Sequence, residues 1–537
     1  MSEKVKVNVD PEGKSLVADK GTPLLDVLLR AGMPLETACG GQGTCGKCRV
    51  HIQGGASLPD DKERLHLDAS DISMGIRLAC RVALCEDVNV TLPACGGDRT
   101  KEVVQGEGPS DGNISFSELV VAVDIGTTTI NVEVIGLPAG AVMARGSTLN
   151  PQRAFGHDVM SRIHAARNPA QSSEMTFILR ETVTGMIHRS IDGLGALPRN
   201  ITRIVISGNT VMLHFFFGMD VCPMGKYPYT PQSLDAIIGE AGQYGLDAFG
   251  NATVLGLPAI SAYLGGDLVA GLLATGIHEN RQSSILIDIG TNSEIILAGP
   301  KGLIATSCAA GPALEGMNID FGITASPGAI AGVEISSDVK LIVLPGHPRP
   351  LGLCGSGIIE LMAELIRLGL VDSSGRMHTV NGSGSPAIRK RLRQHKGSTA
   401  FFVTDDVCFT QKDVRQVQLA KGAIFSGLKA LRDLAGVSTG DIKSVVIAGE
   451  FGRHLKPEKL ISLGMIEALP NATYSFVGNS SLTGAGRIAV NPALLEDAKV
   501  IASQVKAFPL SSLSTYERLF IRSLEFPKPS IFGEHKA

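Results

Sequence analysis

The tetrapeptide Asp-Ile-Gly-Thr occurs twice in this chain, at residues 124–127 and 288–291, 164 positions apart. Each copy closes an apolar run and is followed by a second short β-prone segment. A strand that delivers a carboxylate and then turns on glycine is a local design for phosphate. Backbone amides and hydroxyls of the turn cradle the oxygens, and the Asp holds Mg²⁺ through water or orients an attacking water. One such motif is a common strand–turn and constrains little. Two at this separation predict a duplicated α/β domain with a cleft between its halves, where facing turns grip the β- and γ-phosphates of ATP. No Walker A or Rossmann glycine motif competes.

The surrounding texture agrees. From Glu118 onward, apolar strands (Leu119–Val123, Ile130–Val134, Ile204–Ile206, Ile285–Ile289, Glu294–Ala298, Val445–Ala448) alternate with helical stretches such as Ile358–Leu368 and Val414–Ala435. The expected lobes are 118–280 and 281–500, followed by a C-terminal extension, 501–537. Gly382–Ser398, polar and basic, is expected to be a surface excursion. Residues 1–96 read as a separate small unit: alternating Val5, Val7 and Val9, a return strand from Ser15, a helix opened by Pro23 and ended by Gly32, and strands at Cys48–Ile52 and Val88–Leu92. That order is a β-grasp arrangement. The stretch 97–117, rich in Gly, Ser, Asp and Glu, reads as a flexible tether.

Six of the ten cysteines fall within the first 95 residues. Cys39 and Cys45 are separated by five residues, Cys45 and Cys48 by two, and Cys80 follows 31 residues later. Thiolates hold both irons of a [2Fe–2S] cluster, with three ligands taken from one loop. Glycines 40, 41, 43 and 46 would let backbone amides approach the bridging sulfides. A zinc site normally pairs two short Cys-Xaa-Xaa-Cys or His units, and only one occurs here. Buried thiols without a metal are the blander reading. Cys85 and Cys95 are spare, and Cys85 is the alternative fourth ligand.

With 49 basic against 52 acidic residues, nothing argues for nucleic acid or an anionic membrane as partner. The most apolar window, Ile204–Cys222, is interrupted by Asn209, His214 and Asp220, so it reads as a buried strand and helix. The start of the chain lacks a signal-peptide apolar core. A cytoplasmic protein is expected.

The five-residue first gap is similar to adrenodoxin-like ferredoxins, and Arg77-Leu78-Ala79-Cys80-Arg81 resembles the ferredoxin segment that carries the fourth ligand. The twin hairpins, followed by Val445–Ala448 and Gly449-Glu450-Phe451-Gly452, resemble the superfamily of acetate and sugar kinases, heat-shock ATPases and actin. There the third element covers the adenosine. Together the halves resemble the ATP-dependent reductive activators of corrinoid proteins. Supporting stretches are Asn150-Pro151-Gln152, Gly156–Val159, Ser207–Thr210, Gly265-Gly266-Asp267, Ser307–Gly316, Gly355-Ser356-Gly357, Gln418–Lys421 and Gly478-Asn479. The resemblance implies that an electron from an upstream donor passes through the cluster, coupled to ATP hydrolysis, and returns Co(II) of a methyltransferase corrinoid to Co(I). Plant-type [2Fe–2S] centres sit at roughly −400 mV, and a one-electron deficit costs about 2.3 kcal/mol per 100 mV. That is small enough for an ATP-driven conformational change to offset. A homodimer is compatible with the sequence.

The expected catalytic residues are Asp124, Asp267 and Asp288. Expected nucleotide contacts are Gly126, Thr127, Thr128, Asn209, Gly290, Thr291, Asn292, Gly449, Glu450 and Gly452; the cluster ligands are Cys39, Cys45, Cys48 and Cys80. Asp267 is equally readable as a helix N-cap, and Asn209 and Thr210 as turn residues. Glu294 lies just beyond the second turn. Lys421 reads as a solvated helix residue, His157 and His214 as structural, and Cys308 and Cys354 as buried thiols. Two rival functions are a redox-sensing chaperone ATPase and a small-molecule kinase with an appended ferredoxin. The first lacks room for a peptide-binding domain, with 37 residues after Val500; the second lacks an identifiable acceptor pocket. A 2-hydroxyacyl-CoA dehydratase-type activator, with a [4Fe–4S] cluster bridged between subunits, does not use such a cysteine loop.

Overall fold

The computed structural model describes residues 3–10, 13–31, 33, 35, 41, 43, 46, 48–92, 100–105, 118–280, 282–378, 385–449 and 455–528. In the N-terminal unit, β1 (Lys4–Asp10) has strict alternation of exposed and buried residues, because one face covers the core and the other meets water. It pairs antiparallel with β2 (Lys14–Asp19). Helix α1 (Leu24–Arg30) and β3 (Arg49–Gln53) follow, then short helices α2 (Asp61–Arg64) and α3 (Ala69–Ser73), β4 (Ile76–Leu78) and β5 (Val88–Thr91). The sheet order is β2-β1-β5-β3-β4, with β1 and β5 parallel, and α1 packs Leu24, Leu25 and Leu28 onto it. This is the β-grasp frame.

The larger part is built on two sheets of matching design. In the first, β7 (Leu119–Ile125) is buried along its whole length, as a central strand covered on both faces must be. It continues into the antiparallel strands β8 (Thr129–Gly136) and β9 (Ala141–Leu149). Helices α4 (Val159–Ala166) and α5 (Pro169–Asp192) lead to β10 (Ile201–Gly208), which runs parallel to β7. Next come α6 (Thr210–Phe217), β11 (Ile237–Glu240), β12 (Thr253–Gly256) and α7 (Gly266–Thr275). The order is β11-β12-β10-β7-β8-β9-β6. The last strand, β6 (Thr100–Gln105), lies inside the stretch expected to be a tether and pairs with β9. Its Thr and Val residues suit an edge strand, so the tether expectation is corrected there; 106–117 lie outside the described residues.

The second sheet repeats the plan. β13 (Ser284–Asp288), β14 (Ser293–Gly299) and β15 (Gly302–Cys308) form the antiparallel meander. β16 (Ala329–Ile335), β17 (Val339–Val343) and β18 (Gly352–Leu353) make a small side sheet, followed by α8 (Gly355–Arg367). Within the expected excursion, α9 (Pro386–Arg389) and β19 (Leu392–His395) are regular structure. β19 pairs with β20 (Ser398–Phe402), and β20 pairs with β21 (Cys408–Thr410). Ile388 and Leu392 are buried, but the rest of 385–398 is exposed or half-buried, so the stretch is a surface excursion that carries regular structure of its own. Helix α10 (Gln411–Ala435) starts at a Thr410–Asp413 capping box and stops at left-handed Gly436. β22 (Ser444–Ala448) runs parallel to β13, as β10 does to β7. α11 (Pro457–Leu463), β23 (Thr473–Gly478), α12 (Ser480–Val490) and α13 (Leu494–Gln504) follow.

The chain after residue 500 is no appendage. α13 continues to Gln504, β24 (Val505–Ala507) forms the far edge of the sheet order β23-β22-β13-β14-β15-β24, and α14 (Tyr516–Ser523) packs on α10. Residues 501–528 of the expected C-terminal extension therefore belong to the second lobe; 529–537 lie outside the described residues.

Helices α7, α12 and α13 fill the space between the sheets, with Val120, Ala122 and Val205 of one and Leu286, Ile296 and Val446 of the other in a common core. α7 and α12 cross closely because position 484 is glycine: a Cβ there would stand 2.1 Å from the Ala270 carbonyl oxygen. No helix among the described residues is long and apolar enough to cross a membrane.

Candidate functional site

The two hairpins face one another across a cleft lined by Asp124, Gly126, Thr127, Thr128, Asn209, Asp267, Asp288, Gly290, Thr291, Asn292 and Gly449. Eleven residues expected from sequence to serve the nucleotide are thus gathered in one place. Glu450 and Gly452 lie outside the described residues. Glu294, Glu315, Asn479 and Ser481 share the lining.

The first turn is shaped from beneath. Gly126 N donates to the Thr129 carbonyl at 2.9 Å, and Asn150 Nδ2 donates to the Gly126 carbonyl at 2.8 Å. The Thr127 carbonyl accepts from Arg162, a fully buried guanidinium whose other acceptors are Gly156 O, Gln152 Oε1 and Met212 Sδ, all uncharged. Burial, with Arg153 adding repulsion, lowers the Arg162 pKa to about 9. Asn209 does both things its sequence position allowed: Oδ1 caps α6 at Met212 N, and Nδ2 donates to Thr127 Oγ1 at 3.0 Å. Thr210 points away, donating to Ser261 O.

In the second turn, Thr291 Oγ1 donates to Glu315 Oε1 at 3.0 Å and lies 2.8 Å from Thr128 Oγ1 of the opposite hairpin. With the Thr291 proton committed to Glu315, the Thr128 hydroxyl donates across the cleft. The lobes therefore meet at the hydroxyls expected to touch phosphate.

The cleft concentrates carboxylates. Burial, then the charge of Asp124, raises the Asp267 pKa to about 7. Burial, then Asp267, Asp124 and Glu315, raises that of Asp288 to about 7. Glu294 is raised well above the usual carboxylate range by burial and by Asp267 and Asp288. Unneutralised carboxylates crowded together and partly withdrawn from water take up protons; a cation brought with phosphate would replace them. The donor set thus fits a metal–nucleotide. Asp267 is not the cap of α7, which is Gly265; it sits in the first turn and aims into the cleft.

Lys421 departs from expectation. It is buried, and its Nζ donates to the Glu525 carbonyl near the Phe526 ring, remote from the cleft lining; burial lowers its pKa to about 8. His214 is structural: Nδ1 is 2.7 Å from Thr210 O, and Nε2 accepts from Gln232 N. Cys308 and Cys354 are buried.

In the N-terminal unit, Cys39 and Cys45 lie outside the described residues. Cys48 and Cys80 come together, their sulfurs 3.2 Å apart without a disulfide. The loop leaves space that only glycine can use: Gly46 has φ +66°, and a Cβ there would stand 2.9 Å from His66 Cβ. Buried Glu63 pairs with Arg77 and accepts from Leu78 N at 2.9 Å, fixing the end of β4 two residues before Cys80. Cys85 is exposed. Converging thiols in a glycine-lined loop fit an iron–sulfur cluster.

Nothing in the local sequence marks Arg162, Glu315 or Ser481 as site residues or gives Asn479 a role. Each acts across tens to hundreds of residues, a separation that leaves no local pattern.

Comparison with known proteins agrees with this geometry. The 2Fe-2S iron-sulfur cluster binding domain matches residues 7–85, the RACo middle region matches 119–280, and the C-terminal ASKHA domain of RACo matches 282–535. The corrinoid activation enzyme RamQ of Eubacterium limosum is 28% identical over 89% of this chain and 90% of its own length. A [Co(II) methylated amine-specific corrinoid protein] reductase of Methanosarcina barkeri is 23% identical over 76% of each. The solved structure of a reductive activator for corrinoid, iron-sulfur protein superposes with a TM-score of 0.72 at 27% identity, covering 98% of both chains. With all three regions present in order, the chain belongs to the RACo family of iron–sulfur ASKHA reductive activators.

Proposed function

We propose that this protein hydrolyses Mg-ATP to drive a single electron from a [2Fe–2S] cluster onto the Co(II) centre of a corrinoid protein, restoring Co(I). The observation that carries the reading is the meeting of the two hairpins in one carboxylate-lined cleft, in a chain that also brings Cys48 and Cys80 together. Cys39, Cys45, Cys48 and Cys80 hold the cluster, which supplies a one-electron carrier. Thr127, Thr128, Thr291 and Asn292 bind phosphate oxygens; Asp124 and Asp288 hold Mg²⁺ through water; Asp267 orients the attacking water. Gly449, Glu450 and Gly452 serve the adenosine end of the nucleotide. The partner is a methyltransferase corrinoid protein, the electron comes from an upstream one-electron donor, and the compartment is the reducing cytoplasm.

Binding phosphates between Thr128 and Thr291 must break their direct contact. Nucleotide therefore changes how the lobes meet, which is the motion that coupling requires. The test is anaerobic mixing of the reduced protein, Mg-ATP and a Co(II) corrinoid protein. A Co(I) absorbance that appears with ATP supports the proposal; identical spectra with and without nucleotide refute the coupling.

A further inference from the structure

Asp124 belongs to the first lobe, yet the groups that hold its carboxylate come from a helix more than 350 residues further along the chain. β23 ends at Gly478, and Asn479 then starts α12 as its N-cap, Oδ1 accepting from Leu482 N at 2.8 Å. The other side of the same amide is used differently: Nδ2 donates to Asp124 Oδ2 at 2.7 Å. Ser481 Oγ, buried, donates to Asp124 Oδ1 at 2.7 Å. It lies 2.9 Å from the hydroxyl of Ser207, the β10 residue in register with Asp124. One short segment therefore engages both oxygens of the carboxylate and removes its rotational freedom.

The segment also reaches the opposite end of the cleft. Gly449 N donates to Gly478 O at 3.0 Å, and Gly449 leaves β22, the strand parallel to the one that ends in Asp288. That bond links Gly449 directly to Gly478, the residue before Asn479.

We infer that Asn479 and Ser481 are positioning residues for nucleotide hydrolysis, aiming Asp124 and tying its orientation to Gly449. This rests on the hydrolysis reading above. Asn479→Ser keeps a good helix cap and deletes the amide donor; Ser481→Ala deletes the other donor; Ser481→Thr retains the hydroxyl. Orienting partners of this kind are worth roughly 10- to 100-fold in activity. Steady-state hydrolysis by the full chain should show kcat reduced by that factor in Asn479→Ser and Ser481→Ala. KM for ATP and the melting temperature should stay near wild type, and Ser481→Thr should recover most of the rate. Unchanged kcat in both variants, or a loss that tracks a lower melting temperature, overturns the positioning role alone. A wild-type protein that binds ATP without hydrolysing it overturns the hydrolysis reading and this inference with it.

Discussion

Asp288→Asn should stabilise the nucleotide-free protein while abolishing its function. The Asp288 carboxyl is pushed from 3.8 to about 7 by burial and by Asp267, Asp124 and Glu315, and no hydrogen bond offsets those effects. In the folded state it holds a proton that the unfolded chain releases near pH 4. Folding stability therefore falls as pH rises from about 4 to about 7, where the folded state must ionise the group or keep it protonated against the solution. A shift of roughly three units at 1.36 kcal/mol each gives about 4 kcal/mol. This is an upper limit, because Asp288 opens onto the cleft, where water screens its neighbours. Asparagine has no such penalty. Relative to wild type, the variant should gain roughly 1.5 kcal/mol at pH 5 and up to about 4 kcal/mol at pH 8. Scanning calorimetry of nucleotide-free protein at the two pH values reads the difference, and calorimetric titration with Mg-ATP should show binding lost. A variant that melts below wild type at pH 8, or a gain of equal size at both pH values, refutes the carboxylate-crowding account.

Cys80→Ser should remove the visible absorbance and the EPR signal of the reduced protein, whereas Cys85→Ser, at an exposed thiol, should keep both; colour retained in Cys80→Ser contradicts the ligand assignment. Arg162→Met takes the donor from the Thr127 carbonyl, a charge-assisted bond worth about 1.5–3 kcal/mol, and should weaken Mg-ATP binding in calorimetric titration; unchanged affinity would show that the turn does not depend on it. Burial lowers the Lys421 pKa from 10.5 to about 8, so the folded state sheds its proton first and wild-type stability gains up to about 3 kcal/mol as pH rises from about 8 to 10.5. Lys421→Met should flatten that rise in melting temperature, and a parallel pH dependence in both proteins would exclude Lys421 as its source.

The parts of this architecture that were legible in sequence are those whose chemistry needs contiguous residues. A phosphate turn needs its Asp, Gly and Thr side by side, so both hairpins could be located, and the structure gathers them at one cleft. The cysteine spacing worked the same way for Cys48 and Cys80. Strands β9 and β24 carry no such signal. β9 alternates poorly, with Arg145 and Gly146 at its middle, and its place is decided by pairing with β8. β24 has three residues, too few for a periodic signal, and is defined by its neighbour β15. Lys421 shows the other limit: a cation on a long helix reads as solvated until the segment covering it is known, and that segment lies about a hundred residues later.

The placement of α12 also governs how the polypeptide matures during synthesis. The first sheet is complete by residue 256, but the apolar face it turns inward is covered partly by residues 480–490, and the second sheet waits for residues 505–507. While translation passes through the intervening two hundred residues, that face must stay exposed or be shielded by a chaperone. The iron–sulfur unit, whose sheet closes by residue 91, faces no such delay. Metal loading can therefore precede assembly of the motor on the same nascent chain, and premature termination before residue 480 would leave a finished electron carrier tethered to an aggregation-prone half-lobe.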